Sequence, residues 1–314
     1  MAPVVLMLTP MLPVVVEGCA ESFDLIRLWE AGDPEGLLRE RGGEVLAVAT
    51  DGQLPVDGAL LDLLPKLQLV AHFGVGYDSV DTAATRARGV VVTNTPDVLD
   101  AEVADTAMAL LLMTVRELGA AERYLRAGRW AGEGAYRLSP LTLAGRTLGI
   151  IGLGRIGLEI ARRAEPFGLD IAYHNRSRRA DLPYVYHPSI LELASAVDTL
   201  MVVLPGGAST RHVVDAEVLA ALGPDGVLVS IGRGSVVDTD ALVAALREGT
   251  IAGAGLDVYE DEPHVPRELL DVETAVLLPH VGSASAATRR AMGQLVLDNL
   301  VSWFDSGTAV TPVP

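Results

Sequence analysis

The sequence predicts an α/β protein of two domains, each built on a parallel sheet. Three observations carry that prediction. Short apolar runs rich in β-branched residues alternate with amphipathic stretches along the chain, the pattern of strands joined by crossover helices. The 314 residues suffice for two domains of ordinary size, and half of them are hydrophobic, enough for a core in each. A glycine triplet, Gly152, Gly154 and Gly157, stands between an apolar run and a helical pattern where a second series of strands begins.

In the first third the expected strands are Val4–Leu8, Val45–Ala49, Gln68–Phe73 and Val90–Thr93, with a helical pattern over Ala83–Arg88. The stretch Asp100–Leu118 is apolar around most of its circumference, as a helix buried by more than one layer must be, and it is the candidate for the element joining the domains. Six further strands are expected at Thr147–Ile151, Leu169–His174, Thr199–Leu204, Gly226–Ile231, Ile251–Val258 and Ala275–Leu278, the count of a full dinucleotide-binding sheet. Ala286–Phe304 reads as an amphipathic helix, and the tail Thr311–Pro314 is expected to fray. The first domain is expected over residues 1–98 with 286–314, the second over 99–285.

Composition removes several classes of function. The formal charge of −17 repels polyanions and leaves no footprint for nucleic acid, so an anionic ligand needs a local positive pocket. Cys19 is the only cysteine, which excludes disulfides, iron–sulfur clusters and cysteine-based zinc and fits a reducing, cytoplasmic setting. Lys66, the only lysine, lies in the loop-like Leu64-Pro65-Lys66 and is a poor candidate for Schiff-base chemistry. No apolar run has the length of a membrane helix, and Met1–Pro10 is followed by Glu17 rather than a small-residue cleavage site, so neither a span nor a signal peptide is expected. No His/Asp/Glu cluster has metal-site spacing, so proton and hydride transfer without a metal is expected.

The triplet gives G-x-G-x-x-G directly after a strand and at the opening of a helix. The first glycine allows the tight turn, the second lets a pyrophosphate reach the backbone, and the third lets helix pack on sheet. The helix N-terminus adds N–H groups and partial positive charge. About twenty residues on, where an acid would bond the ribose 2′-hydroxyl of NAD, stands Asn175, followed by Arg176, Ser177, Arg178 and Arg179. A neutral amide does not repel a 2′-phosphate, and guanidinium groups with a hydroxyl can hold one, so Arg176 and Ser177, helped by Arg178, are expected to select NADPH. A plain solvated loop is the alternative.

Polar groups arrive at the carboxyl ends of three strands in the second series, where an open α/β sheet places its ligands. Arg233 lies in SIGRGS, Asp257 and Glu262 in GLDVYEDEP, and His280 after Ala275–Leu278. An arginine, an acid and a histidine suit reduction of a 2-oxo acid. Arg233 would clamp carboxylate and carbonyl oxygens, His280 would protonate the nascent alcohol, and an acid would orient the imidazole and favour its protonated form. Glu262 shares its loop with Glu260 and Asp261, and spacing alone does not choose among them. Arg233 lies between two glycines, where the backbone is free to approach a ligand; a surface ion pair is its plain alternative. Asp257 can equally cap or turn the chain after its strand, and His72, at a strand end in the first domain, competes with His280.

Six ordered stretches carry a resemblance over nearly the whole chain: HFGVGYDSVD (72–81), VTNTPDVLDAEVADTAMALLL (92–112), GIIGLGRIG (149–157), SIGRGSVVD (230–238), GAGLDVYEDEP (253–263) and LLPHVGSAS (277–285). Together they resemble the D-isomer-specific 2-hydroxyacid dehydrogenases. The resemblance implies a flavodoxin-like substrate-binding first domain and a Rossmann-like dinucleotide-binding second domain, with the active site in the interdomain cleft. It implies that Arg233, Glu262 and His280 are catalytic, that Asp257 bonds the nicotinamide carboxamide, and that Gly74, Val75 and Gly76 bind the substrate carboxylate through N–H groups. The cofactor set it implies is Thr106, Gly152, Leu153, Gly154, Arg155, Ile156, Gly157, Asn175, Arg176, Ser177, Arg178, Leu204, Pro205, Ile231, Gly232, Asp257, His280 and Gly282. A homodimer is implied as well, in which Trp130 lines the partner's active site.

Within the family, ESFDLIRLWEA (21–31) and Asn175-Arg176-Ser177-Arg178 look like glyoxylate/hydroxypyruvate reductases and the related hydroxyphenylpyruvate reductases. Phosphoglycerate dehydrogenases usually carry an acid where this chain has Asn175, and formate dehydrogenases a glutamine where it has Glu262. The expected activity is therefore reduction of a small 2-oxo acid to the D-2-hydroxy acid, with NADP(H) preferred over NAD(H). A non-catalytic NAD(P)-binding regulatory protein of the same fold is the alternative from another class.

Overall fold

The computed structural model describes residues 2–314. The chain forms two compact units, one of the residues up to Leu99 together with Ser285–Pro314, the other of Asp100–Ala284. Among the described residues no helix is long and apolar enough to cross a membrane.

The first unit holds five parallel strands, β1 (Val4–Met7), β2 (Asp24–Arg27), β3 (Val45–Thr50), β4 (Leu69–His72) and β5 (Val91–Thr93), in the order β2-β1-β3-β4-β5. Because side chains alternate along a strand, Leu6 joins a core with Val48, Val70 and Val92 on one face. Val5 and Met7 join Ala47, Leu69 and Ala71 on the other, with Val296 and Leu300 of the helix Ala286–Ser306. The sheet is thus covered on both faces, as a parallel sheet requires. Asp33, Asp57 and Asp81 cap helix starts, a contribution of about 1 kcal/mol each.

Two expectations for this unit need correction. β2 was not expected; it is a short edge strand whose DLIR sequence buries only Ile26, too little for a periodic signal. The tail does not fray. Val313 N–H donates to Val92 O at 2.9 Å, and Thr311 is bonded through its N–H to Asn299 Oδ1 and through its hydroxyl to Asn94 O. The buried Asn299 supplies the partner that proline-rich composition does not advertise.

The second unit holds seven parallel strands, β6 (Thr147–Ile151), β7 (Asp170–His174), β8 (Val185–Tyr186), β9 (Thr199–Val202), β10 (Val227–Ser230), β11 (Gly253–Leu256) and β12 (Ala275–Leu277), in the order β12-β11-β10-β9-β6-β7-β8. The order reverses between β6 and β9, the switch point at which such sheets bind ligands. The expected six strands are present, but the sheet has seven. β8 is a two-residue edge strand whose Val185 is 60% exposed, so no hydrophobic pattern marks it.

The buried helix ends earlier than expected, at Val115 rather than Leu118. Glu117 adopts a left-handed backbone (φ 52°), its carboxylate accepts from Arg137 and Tyr136, and a separate helix Leu118–Arg126 follows. The buried face of Asp100–Val115 lies against β10, β11 and the helix Arg155–Ala164, inside the second unit.

Candidate active site

All seven strands of the second unit run parallel, so their carboxyl ends share one edge, and backbone pairing continues past the strands there. Ile231 N–H donates to Val202 O, Asp257 N–H to Ser230 O and Leu278 N–H to Leu256 O. Arg233, Asp257, Glu262 and His280 follow these linked segments and therefore arrive at the same edge.

The geometry chooses among the three acids of the loop. Glu262 Oε2 lies 2.6 Å from His280 Nδ1, and Glu262 Oε1 accepts the Tyr259 N–H at 2.9 Å. Glu260 instead faces His212, and Asp261 bridges to His264. His280 sits in the left-handed region (φ 52°), which costs a non-glycine residue roughly 1–2 kcal/mol. Asp257 supports that conformation from three sides. Its carbonyl accepts the His280 N–H at 2.9 Å, and its carboxylate accepts Val281 N–H at 2.7 Å and Gly282 N–H at 2.8 Å. Both carboxylate oxygens of Asp257 are thus engaged by the histidine loop, a role that the expected contact to a nicotinamide does not describe.

The glycines beside Arg233 have a packing reason of their own. A Cβ on Gly234 would lie 1.8 Å from the carbonyl carbon of Tyr259, and one on Gly232 would lie 2.3 Å from Leu204 O. They let neighbouring backbones touch. Arg233 itself donates to Gly232 O at 2.9 Å. Thr106 Oγ1 lies 3.2 Å from the carbonyl of Gly282, tying the buried helix to the histidine loop.

At the switch point, Gly152 takes φ 97° and its N–H donates to His174 O. A Cβ on Gly157 would lie 2.5 Å from Gly152 O, whereas one on Gly154 would meet no protein atom within 4 Å. The third glycine is required by packing, and Gly154 is the position where the protein leaves room for a ligand to approach. Gly154 is also the N-cap of Arg155–Ala164 and no side chain caps that helix, so its first N–H groups and dipole suit a phosphate. Asn175 does not stand idle beside the loop: its Oδ1 accepts the Leu153 N–H at 2.7 Å and its Nδ2 approaches Leu153 O at 3.4 Å. Arg176, Ser177 and Arg178 are exposed, and Arg179 pairs with Asp181. These residues fit a dinucleotide bearing a 2′-phosphate.

In the first unit the turn after β4 is set by two residues whose roles the sequence did not mark. Thr95 Oγ1 accepts the Gly74 N–H at 3.0 Å while Thr95 N–H donates to Gly74 O, and Asn94 Nδ2 donates to Val75 O at 2.9 Å. Gly74 takes φ 143°, and among the described residues no acceptor meets the N–H groups of Val75 and Gly76. Trp130 lies on the short helix Arg129–Glu133 and is 62% exposed.

Residues 108–282 match the family model of the D-isomer specific 2-hydroxyacid dehydrogenase NAD binding domain. The chain belongs to the D-isomer-specific 2-hydroxyacid dehydrogenases. It is 43% identical over 309 residues to glyoxylate/hydroxypyruvate reductase A of Arabidopsis thaliana and 44% identical over 309 residues to hydroxyphenylpyruvate reductase of Plectranthus scutellarioides, with 98% of each chain covered. Among solved structures it resembles an NADPH-dependent glyoxylate/hydroxypyruvate reductase from Sinorhizobium meliloti in complex with NADP and malonate, at 54% identity and a TM-score of 0.95, covering 100% of this chain and 97% of that one.

In this dehydrogenase the two carboxyls around His280 are pushed apart electrostatically. Burial would raise Glu262, but the hydrogen bonds from His280 and the Tyr259 N–H, with the charges of His280 and Arg233, hold it below the usual range. Burial wins at Asp257, whose carboxyl is raised despite the N–H groups of Val281 and Gly282. Burial, with the charges of Asp257 and Glu262, pushes the Tyr259 phenol up to about 12, so it stays a donor, to Leu278 O at 2.8 Å. Tyr259, like Asn94 and Thr95, lay inside a motif recognised as a whole; no spacing rule singled it out.

Proposed function

We propose that this dehydrogenase reduces a small 2-oxo acid of the glyoxylate and hydroxypyruvate type to the D-2-hydroxy acid, with NADPH as the preferred cofactor. The observation that carries the reading is the 2.6 Å contact between Glu262 and His280 at the sheet edge that also receives Arg233. NADPH, when bound, supplies a hydride for the carbonyl carbon. With Nδ1 engaged by Glu262, the imidazole atom left to protonate the nascent alkoxide is His280 Nε2. The ionised Glu262 balances the imidazolium and fixes the plane of the ring. Arg233 offers a planar fork to the carboxylate and carbonyl oxygens, and the N–H groups of Val75 and Gly76 are assigned to the carboxylate.

The glycine turn and the uncapped helix at Gly154 are assigned to the pyrophosphate, and Arg176, Ser177 and Arg178 to the 2′-phosphate. The S. meliloti relative with NADP supports the cofactor preference. The reading includes a cytoplasmic homodimer; exposed Leu118, Leu125, Trp130 and Leu138, clustered within residues 118–138, support an interface there, with Trp130 reaching the partner's site. Hydroxyphenylpyruvate is the second substrate to consider, given the P. scutellarioides relative.

Steady-state oxidation of NADPH and NADH with glyoxylate, hydroxypyruvate, pyruvate, phenylpyruvate and hydroxyphenylpyruvate tests the proposal. Highest kcat/KM with glyoxylate or hydroxypyruvate and NADPH is expected. Tight cofactor binding with no turnover of any of the five would instead favour a binding protein.

A further inference from the structure

Glu260 and His212 take no part in the chemistry assigned above, yet they join the segments that carry it. Glu260 Oε1 accepts the N–H of Thr239, the first residue of the helix Thr239–Glu248, at 3.1 Å. Glu260 Oε2 lies 2.7 Å from His212 Nε2 and 3.3 Å from Arg211 Nη2. His212 is fixed in turn: its N–H donates to Ser235 O at 2.8 Å, and its Nδ1 stands 3.7 Å from Asp238 Oδ2. Val214 continues the seam, donating to Val236 O and accepting from the N–H of Asp238.

Residues 235–239 follow Arg233 after a single glycine, Gly234, and Glu260 precedes Glu262 by two positions. The two backbones touch at Gly234, where a Cβ would lie 1.8 Å from Tyr259 C and 2.4 Å from Glu260 N. One carboxylate therefore bridges the segment bearing Arg233 and the segment bearing Glu262. Its own charge is well supported: burial is outweighed by hydrogen bonds from His212 and Thr239, which hold the Glu260 carboxyl below the usual range. Glu260 bonds to neither His280 nor Arg233, so any influence on the reaction passes through backbone placement.

We propose that Glu260, clamped by His212, is a positioning residue that holds the Arg233-bearing and Glu262-bearing segments at a fixed separation, so that Glu262 is already set against His280 before substrate binds. The inference rests on the reaction roles given above to Glu262 and His280. Small displacements of reacting groups are costly in rate, about a hundredfold for an ångström, while binding elsewhere is spared.

The test uses Glu260→Ala, His212→Leu and His212→Gln, the last keeping an N–H donor, in the full-length protein. Glu260→Ala and His212→Leu should lower kcat by about tenfold to a hundredfold, with the KM for the 2-oxo acid and the NADPH Kd within about twofold of the parent. His212→Gln should recover most of the loss. Hydrogen exchange over residues 259–263 should quicken in the same order, because the Tyr259 N–H is held by Glu262. Adding Glu260→Ala to Glu262→Gln should cost little beyond Glu262→Gln alone, since both act on one contact. Unchanged exchange over 259–263, or multiplicative losses in the double variant, overturns the positioning role. Quickened exchange with Glu262→Gln at full kcat would overturn the reaction role of Glu262, and with it the purpose assigned to Glu260.

Discussion

The side-chain amide of Asn175 grips Leu153 from both sides, its Oδ1 accepting the Leu153 N–H at 2.7 Å and its Nδ2 reaching toward the Leu153 carbonyl at 3.4 Å. A residue proposed to stand at the cofactor-specificity position thus also shapes the glycine turn, so charge and loop geometry cannot be altered independently there.

Asn175→Asp should therefore be a poor route to an NADH enzyme. It keeps an acceptor for the Leu153 N–H but sets a second anionic oxygen against the Leu153 carbonyl and near the assigned 2′-phosphate site. NADPH kcat/KM should fall on the order of tenfold or more, with no comparable gain for NADH. Asn175→Ala should weaken both cofactors, whereas Arg176→Ala should weaken NADPH alone. Calorimetric titration with each cofactor checks this, and unchanged affinities in Asn175→Ala would refute the loop-shaping role.

Removing the imidazole separates proton transfer from binding. His280→Ala should lower kcat by about two to four decades and leave NADPH affinity largely intact. Arg233→Lys should also be severe, because an ammonium cannot replace a planar fork. Single-turnover kinetics with saturating cofactor measure both; near-parental rates in either variant would remove that residue from the mechanism.

The opposite shifts of Glu262 and Asp257 give opposite pH dependences. The folded-state value of Glu262 is depressed, so its ionised form adds stability above the unfolded carboxylate range, and that contribution is lost as pH falls through the lowered value. Asp257 is raised, so its ionised form is disfavoured in the fold and its contribution worsens as pH rises from the unfolded to the folded value. The Tm difference between parent and Glu262→Gln should shrink on acidification. The difference between parent and Asp257→Asn should move the other way. Parallel trends would contradict the assignment.

Two glycine substitutions should fail in different ways. Gly234→Ala drives a methyl to 1.8 Å from the Tyr259 carbonyl carbon and should destabilise the second unit by several kcal/mol, by overpacking. Gly154→Ala meets no protein atom within 4 Å, so its Tm should barely move while NADPH binding weakens. Thermal melts with and without NADPH distinguish the two, and normal NADPH affinity in Gly154→Ala would place the pyrophosphate elsewhere.

Much of the fold was legible because the signals were local. Val4–Met7, Val45–Thr50 and Thr199–Val202 are nearly continuous apolar runs, as strands buried on both faces must be. β2 and β8 escaped because edge strands bury few side chains. The tail was misjudged because its partners, Asn94, Val92 and Asn299, are distant in sequence.

What the sequence determined by itself was the chemical inventory: a phosphate-type glycine turn after a strand, an arginine, acids and a histidine at strand ends, and a neutral amide followed by arginines. Residue spacing left the acid open and only the family resemblance favoured Glu262; the contact of Glu262 with His280, and the use of both Asp257 oxygens on the histidine loop, come from the tertiary structure. Glu260, Asp261 and Glu262 are consecutive acids, so composition and spacing cannot rank them. The ranking comes from backbone paths that bring Tyr259, Leu278 and Gly234 into contact and leave a single carboxylate within hydrogen-bond reach of the imidazole.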